Sequence, residues 1–434
     1  MRKTVWGGGA GLVAVAVAVV AWAAYDYPWR PSRYEPQALA RYYAAHAAPE
    51  APRVSTADID RGIGLAVDYI LRAQRPDGSF VYLVNTDPAI PVPPGYSLLR
   101  HAGTVYSLGM AHAGQPDARI ERGMQAAVGF MRRCCLQAVQ SGEGMGIVEP
   151  PAVVADAGPL AYKLGGAGLG LMAMASLARS SPGAVPVDGM RGLARFGRHM
   201  MRWNGEFYAR HVPGAGGRIE AGKALFYPGE MVLGWLMLHE REPSSELIEW
   251  SVRALSLLAR QRAVEGTAPA DHWALLATAR LFVIAQREGL EIPRQRLIDH
   301  ALQICHTMLD GASGSPAVPS AAGSLVAGGW GSVTPTSTRL EGLLASLTFL
   351  PQAHPIVPHV TAAVHRGMGF VLRAQWREGP YAGGVPMAIG RLFDDGLAET
   401  ARFNAAATEI RIDYVQHALS AMLQFRQMNL AGGQ

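Results

Sequence analysis

The sequence predicts an all-α protein, an (α/α)6 toroid of six helical hairpins, preceded by one N-terminal transmembrane helix. Three observations carry this expectation. Six apolar, Ala/Leu-rich stretches (99–112, 164–179, 227–240, 271–284, 337–350 and 411–428) are each entered from a Gly/Pro-rich loop, with charged residues crowded at the start. A more amphipathic stretch precedes each of them: 58–74, 119–137, 188–203, 246–261, 294–309 and 359–375. An apolar helix must be surrounded by protein, whereas an amphipathic one can face water, so the alternation puts the apolar set on an inner circle. Finally, Arg2 and Lys3 precede an uncharged stretch from Thr4 to Tyr25, about 30 Å long as a helix at ~1.5 Å per residue.

Residues 1–27 read as a signal anchor. Positive flanks stay cytoplasmic, so the body of the chain is expected outside the inner membrane, on the periplasmic or extracellular side, with single-pass topology. Tyr25, Tyr27 and Trp29 follow as an aromatic girdle. Ala21-Trp22-Ala23 offers a small-x-small cleavage site, so a removed signal peptide is the competing reading, and export holds either way. Residues 28–55 form a tether with one short helix near 36–46, and 56–434 form the toroid domain.

Composition supports one large domain. The chain has 434 residues, 49% hydrophobic and 17% charged, and no charged or Ser-rich linker divides it. The net charge of +5 comes almost wholly from Arg, since the lysines are Lys3, Lys163 and Lys223 alone. Without a dense basic run or basic–aromatic alternation, no nucleic acid partner is expected. Three cysteines make no disulfide framework, and a bridge between the adjacent Cys134 and Cys135 on a helix is strained. No CxxC or HExxH spacing exists, so no metal is predicted, and no cofactor.

The amphipathic stretches repeat. Ala66–Gln74 leads into Arg75-Pro76-Asp77-Gly78-Ser79-Phe80, and Gly367–Gln375 leads into Trp376-Arg377-Glu378-Gly379-Pro380-Tyr381. A looser copy runs from Leu193 to Asn204-Gly205-Glu206-Phe207. Each glycine is placed to take the left-handed position after a helix, with the aromatic packing back on the last turn. This segment resembles the Gln/Gly/aromatic repeats of terpene cyclases, protein prenyltransferases and related toroids. The DxDD and DDxxD motifs of terpene chemistry are absent, and Asp394-Asp395-Gly396 reads as a turn.

The chemistry is expected at the starts of the inner helices. Arg100 and His101 stand in a first turn, where the helix dipole disfavours positive charge by roughly 0.3–1 kcal/mol each. Pairing of Arg100 with a carboxylate of a neighbouring hairpin is the structural alternative. Glu409, Asp413 and His417 fall at four-residue steps, so Asp413 is placed to orient His417 as a proton-transfer group; an ion-pair lattice closing the toroid is the other reading. Thr338-Arg339-Leu340-Glu341 reads as a capping box that accounts for Glu341 and leaves Arg339 unexplained. Glu230, two residues after Pro228, fits either a helix first turn or a general acid. Asp271 reads as an N-cap. Loop aromatics Tyr82, Tyr96, Phe226, Tyr227, Trp330 and Tyr381 could stack on sugars.

Arg411-Ile412-Asp413-Tyr414 with His417, together with Gly103–Leu108, is similar to segments of glucuronyl C5-epimerases. That resemblance implies an exported helical toroid with a Tyr/carboxylate/His site and an Arg holding a uronate carboxylate. Lanthipeptide cyclases also use such toroids, but their zinc Cys/Cys-His set is missing.

The expectation is therefore a membrane-tethered enzyme acting on a polysaccharide, possibly uronate-containing, as hydrolase, lyase or epimerase. His417, Asp413, Glu230, His101 and Glu341 are the acid/base candidates. Arg100, Arg339, Arg411, Tyr96, Tyr227 and Trp330 are the glycan-binding candidates. A non-catalytic scaffold of an envelope assembly and an isoprenoid cyclase-like protein are the alternatives.

Overall fold

The computed structural model describes residues 33–139, 142–150, 160–219, 225–312, 319–326 and 330–432. The expected anchor at 1–27 lies outside these residues, and no helix among them is long and apolar enough to cross a membrane. The chain runs α1 (Pro36–Ala45), α2 (Thr56–Arg72), β1 (Leu83–Asn85), α3 (Leu98–Gly114), α4 (Ala118–Cys134), β2 (Leu136–Ala138), β3 (Met145–Ile147), β4 (Tyr162–Lys163) and α5 (Leu164–Ser180). It continues through α6 (Val187–His199), β5 (Arg210–Val212), β6 (Gly217–Ile219), α7 (Tyr227–Arg241), α8 (Ser245–Glu265), α9 (His272–Glu288) and α10 (Arg294–Asp310). It ends with α11 (Val333–Leu347), α12 (Ile356–Ala374), α13 (Ala398–Ala407), β7 (Glu409–Arg411) and α14 (Ile412–Gly432).

Helices α3, α5, α7, α9, α11 and α14 pack side by side into a closed inner circle, with α14 returning to α3. Their burial follows composition. Every residue of α5 from Leu164 to Ala178 is buried, while α4 buries only Ile120, Gly123, Met124, Ala127, Val128 and Met131, one stripe at helical spacing. Strands β1 and β7 pair antiparallel, Leu83 opposite Arg411, so the loop of the first hairpin is sewn to the start of the last helix. The tether is partly a docked element: Tyr43 of α1 is buried, and its hydroxyl lies 2.9 Å from Nδ1 of His306 on α10.

The repeat has a structural meaning different from the expected helix cap. Gly78, Gly205 and Gly379 all have positive φ (93°, 99° and 74°), but each lies several residues past its helix, in a turn. In the first two copies the turn closes a minimal hairpin, Gln74 opposite Phe80 and Met201 opposite Phe207. The glutamines staple neighbouring outer helices. Gln74 Nε2 donates to the Gly123 carbonyl of α4 at 2.8 Å, and Gln375 Nε2 donates to the Gly62 carbonyl of α2 at 3.0 Å, across the closure.

Two further expectations are corrected. Helix α4 ends at Cys134, and Cys135 leaves helical geometry (φ −140°), so the two cysteines are no longer neighbours on a helix and they form a disulfide. Helix α11 begins at Val333 after the Ser332 N-cap, not at Thr338. The Thr338–Glu341 capping box does not form; Thr338 Oγ1 donates to the Pro335 carbonyl within the helix instead. Glu341 is consequently a fully buried residue of the inner circle.

Candidate active site

The N-terminal ends of all six inner helices open on one cavity of about 800 Å³. Arg100 and Gly103 come from α3, Lys163 from the entry to α5, Tyr227 and Glu230 from α7, and His272 and Trp273 from α9. Thr338 and Arg339 come from α11, and Arg411, Asp413, Tyr414, Gln416 and His417 from the entry and first turns of α14. The expected convergence of polar helix starts is present.

Its first feature is a positive wall. Arg100 Nε donates to Asp413 Oδ2 at 3.0 Å, while Arg411 Nε donates to Oδ1 at 2.6 Å and its Nη2 to Oδ2 at 3.0 Å. Burial alone would raise the Asp413 carboxyl, but Arg411 and then Arg100 outweigh it and hold the group below the usual range. The acid that the α3 dipole calls for arrives from elsewhere: Glu149 Oε2 accepts the Leu98 N–H at 2.7 Å and its Oε1 pairs with Lys163 at 3.2 Å. Two arginines thus share one carboxylate. Arg339 is lowered by burial, and no carboxylate pairs with it among the described residues. The wall carries net positive charge.

The second feature is a pair of imidazoles. His417 Nδ1 donates to Glu341 Oε2 at 2.7 Å, in place of the Asp413 partnership expected from sequence spacing. Asp413 is occupied by the arginines, and Glu409, the third member of that stripe, lies in β7 before the helix begins. Burial would lower His417, but Glu341 overrides it, so the imidazole is held above its ordinary value. Burial raises Glu341 as well, so the pair keeps its shared proton more firmly than either group would in water.

His272 is the opposite. It is fully buried at the first position of α9, and neither of its ring nitrogens has a hydrogen-bond partner among the described residues. Burial, the nearby His417 and Arg339 push it well below its ordinary value, and the N-terminal dipole acts in the same sense. The two imidazole centroids stand 5.6 Å apart, edge to face. Groups of one chemical kind driven to opposite protonation preferences are the arrangement that lets one site supply both a base and an acid. The sequence reading missed His272 because Asp271 before it reads as a cap. Asp271 is indeed that cap, its carboxylate accepting the Ala274 N–H at 3.1 Å and Arg262 Nη2 at 2.7 Å.

Glu230 is a buried acid on the α7 side. Burial, with a contribution from Asp271, pushes its carboxyl up to about 8, and Oε2 has no hydrogen-bond partner among the described residues. Gly165 makes room for it: a Cβ there would overlap both Glu230 Oε2 and the Tyr227 ring.

Three sequence candidates lie elsewhere. His101 is buried behind the wall, with Nε2 donating to the Ala127 carbonyl at 3.0 Å and Nδ1 accepting from the Tyr96 hydroxyl at 2.7 Å. With both nitrogens satisfied between Phe80 and Phe130, it is pushed down to about 4 by burial and stands as a neutral core residue. Tyr96 belongs to the same network, its hydroxyl accepting the Phe80 N–H, and neither residue lines the cavity. Trp330 is 38% exposed, packs edge-on against Phe403 of α13, and is not among the lining residues either. A cation and a neighbouring imidazole in one helical turn necessarily point in different directions. Only Arg100 reaches the mouth.

No family profile matches the sequence, and no curated protein matches it. The structure is similar to a cellobiose 2-epimerase from Bacillus thermoamylovorans, with TM-score 0.60 and 10% identity over 86% of this chain and 100% of that one. It is also similar to a D-mannose isomerase (TM-score 0.59, 8% identity, 86% and 98% of the chains). A mutant unsaturated glucuronyl hydrolase from Streptococcus agalactiae aligns with TM-score 0.53 and 11% identity over 92% and 98%. At these identities the likeness establishes the (α/α)6 toroid fold. A fold shared by an epimerase, an isomerase and a hydrolase leaves the chemistry to be read from the site.

Proposed function

We propose that this chain is a carbohydrate-active enzyme that removes and returns a proton on a uronate-containing glycan, as a sugar epimerase. The observation that carries the proposal is the pair of buried imidazoles, His272 and His417, 5.6 Å apart at the cavity and shifted in opposite directions. Neutral His272 is the base, taking the proton from the carbon that bears the carboxylate. His417, kept protonated by Glu341, returns one from its own side, which inverts that carbon. Arg339, with the Arg100–Arg411 pair, holds the substrate carboxylate and stabilises the charge that the departing proton leaves on it. Tyr227, Trp273 and Tyr414 offer faces for sugar packing. Epimerases and an isomerase among the structural neighbours support this class. With the N-terminal apolar segment as anchor, the toroid works outside the inner membrane on an envelope or extracellular polymer.

Glu230 favours one other reading, hydrolysis, since a carboxylic acid protonated at neutral pH is a general acid. Hydrolysis also needs a free second carboxylate, and Asp413 is committed to two arginines.

The test is incubation with uronate oligosaccharides in D2O. Epimerisation incorporates deuterium at the carbon next to the carboxylate with no new reducing ends. New reducing ends would establish hydrolysis, and a new ultraviolet-absorbing double bond would establish elimination.

A further inference from the structure

A second cluster of the same donor types lies outside the cavity. His199 is the last residue of α6, His211 is the central residue of β5, and Glu143 lies in the loop joining β2 to β3. Nε2 of His199 is 3.4 Å from Oε2 of Glu143, and Nε2 of His211 is 3.6 Å from the same oxygen. Nε2 of His199 is 3.3 Å from Nδ1 of His211. One ligand atom from each residue lies within 4.8 Å of the other two.

These separations are long for charge-assisted hydrogen bonds, which settle at about 2.7–2.9 Å. Two of them, both from His199 Nε2, match a different object. Metal–ligand bonds of about 2.0–2.1 Å at the tetrahedral angle give ligand–ligand edges of about 3.3–3.4 Å, the spacing of two imidazoles and a carboxylate around zinc. His211 shows one nitrogen to each partner, so a small turn of its ring selects the one that binds. Arg218, a cation close to His199, is engaged elsewhere: its Nη1 donates to the His199 carbonyl and its guanidinium lies 5.1 Å from the Tyr208 ring centroid.

We propose that Glu143, His199 and His211 bind one divalent transition-metal ion, Zn²⁺ by donor type, which fastens the β2–β3 loop and the β5–β6 hairpin to the end of α6. Imidazole and carboxylate donors suit zinc, whereas magnesium and calcium take all-oxygen shells. The ion has a structural task. Strand β5 pairs with β4, Arg210 opposite Lys163, so the clamp supports the wall that carries Lys163 without touching the cavity. The sequence carries no motif for it because Glu143 comes from a distant segment and the two histidines stand 12 positions apart, outside the short spacings of zinc motifs.

The test is a titration of the chelator-stripped full-length chain with Zn²⁺ by calorimetry and with Co²⁺ by visible absorption. The expected result is about one equivalent of Zn²⁺, tetrahedral Co²⁺ bands, and a thermal midpoint that rises with Zn²⁺ concentration. Glu143→Gln and His199→Gln each weaken Zn²⁺ binding by ~100-fold or more, whereas His272→Gln retains it. His199→Cys, which restores a zinc ligand, recovers binding and covers the case in which His199→Gln is unstable. Absence of saturable binding by the wild-type chain, or wild-type affinity in both Glu143→Gln and His199→Gln, overturns the proposal. Loss confined to His272→Gln also overturns it, because the ion then belongs to the cavity.

Discussion

Among the described residues there are two His/His/Glu clusters, and their difference separates two uses of one donor set. At the cavity, His272 and His417 line the wall and Glu341 stands buried behind them, all held by the inner circle; the His417–Glu341 contact has closed to 2.7 Å, while His272 stands 3.9 Å from the same carboxylate oxygen. A proton is shared on one side and refused on the other. At the periphery, Glu143, His199 and His211 come from a loop, a helix end and a hairpin; His199 Nε2 stands 3.4 Å from Glu143 Oε2 and 3.3 Å from His211 Nδ1, while the other His211 nitrogen, Nε2, is 3.6 Å from Glu143 Oε2. Composition is the same. Burial and spacing decide whether the cluster moves a proton or holds a cation.

The strongest way to break this comparison is to remove an imidazole from the cavity. His272→Gln and His417→Gln should each lower turnover by about 10²–10⁴, with the far-ultraviolet circular dichroism unchanged. Neither should alter the response of the thermal midpoint to Zn²⁺. A loss of fold in place of a loss of turnover would make the cavity cluster the lattice that closes the toroid.

Next in size is charge. Arg339 has no paired carboxylate among the described residues, so Arg339→Ala should raise KM for a uronate substrate by roughly tenfold to a hundredfold, the range of a charge-assisted contact. KM for a neutral analogue of the same glycan should move little. Arg100→Ala should act in the same direction more weakly, because Arg100 is 39% exposed and already shares Asp413 with Arg411. Equal effects on charged and neutral glycans would remove the uronate from the proposal.

A third prediction concerns pH and uses two buried groups with opposite signs. Glu230 is raised from 4.5 to about 8, so the folded state keeps a proton that the unfolded chain releases. That contribution to stability is complete below 4.5 and is lost as pH rises towards 8. Glu230→Gln should therefore match the wild type in thermal midpoint at acid pH and exceed it progressively through that window. His101 is lowered from 6.5 to about 4, so the unfolded chain binds the proton first, and stability falls as pH drops from 6.5 to about 4. Scans of the wild type and of Glu230→Gln against pH separate the two slopes.

The fold was legible because it rests on alternation of burial, which composition reports directly: α5 is apolar all round and α4 is striped. Closure was legible too, since a sixth hairpin must return to the first. Within the candidate site, the sequence pointed to helix starts that line one cavity but paired groups that the structure pairs otherwise. Asp413 and His417 are four apart and were matched by local spacing. The partners that form come from other hairpins: Arg100 reaches Asp413 across 313 positions and Glu341 reaches His417 across 76. Adjacent residues were equally misleading, because Arg100 faces the mouth while His101 points back at Ala127. Long-range pairs of this kind leave no periodic trace. The zinc triad is illegible for the same reason.

The smallest predicted effect addresses where α11 begins, which decides whether Glu341 is a cap or the buried partner of His417. A capping box with Thr338 at N-cap would make Thr338→Ala cost about 1 kcal/mol, through the loss of a bond to an otherwise orphaned N–H. In the structure the helix is already running at Thr338, from Val333, and the Thr338 hydroxyl bonds back to the Pro335 carbonyl. A β-branched residue in a helix interior is less favourable than alanine by a few tenths of a kcal/mol. Thr338→Ala should accordingly leave stability unchanged or raise it slightly in a denaturant titration, with Ser332 as the true N-cap. A loss near 1 kcal/mol would move the start of α11 inward by more than a turn. Glu341 would then face a helix terminus instead of His417, and the cavity cluster would lose the carboxylate that sets it apart from the peripheral one.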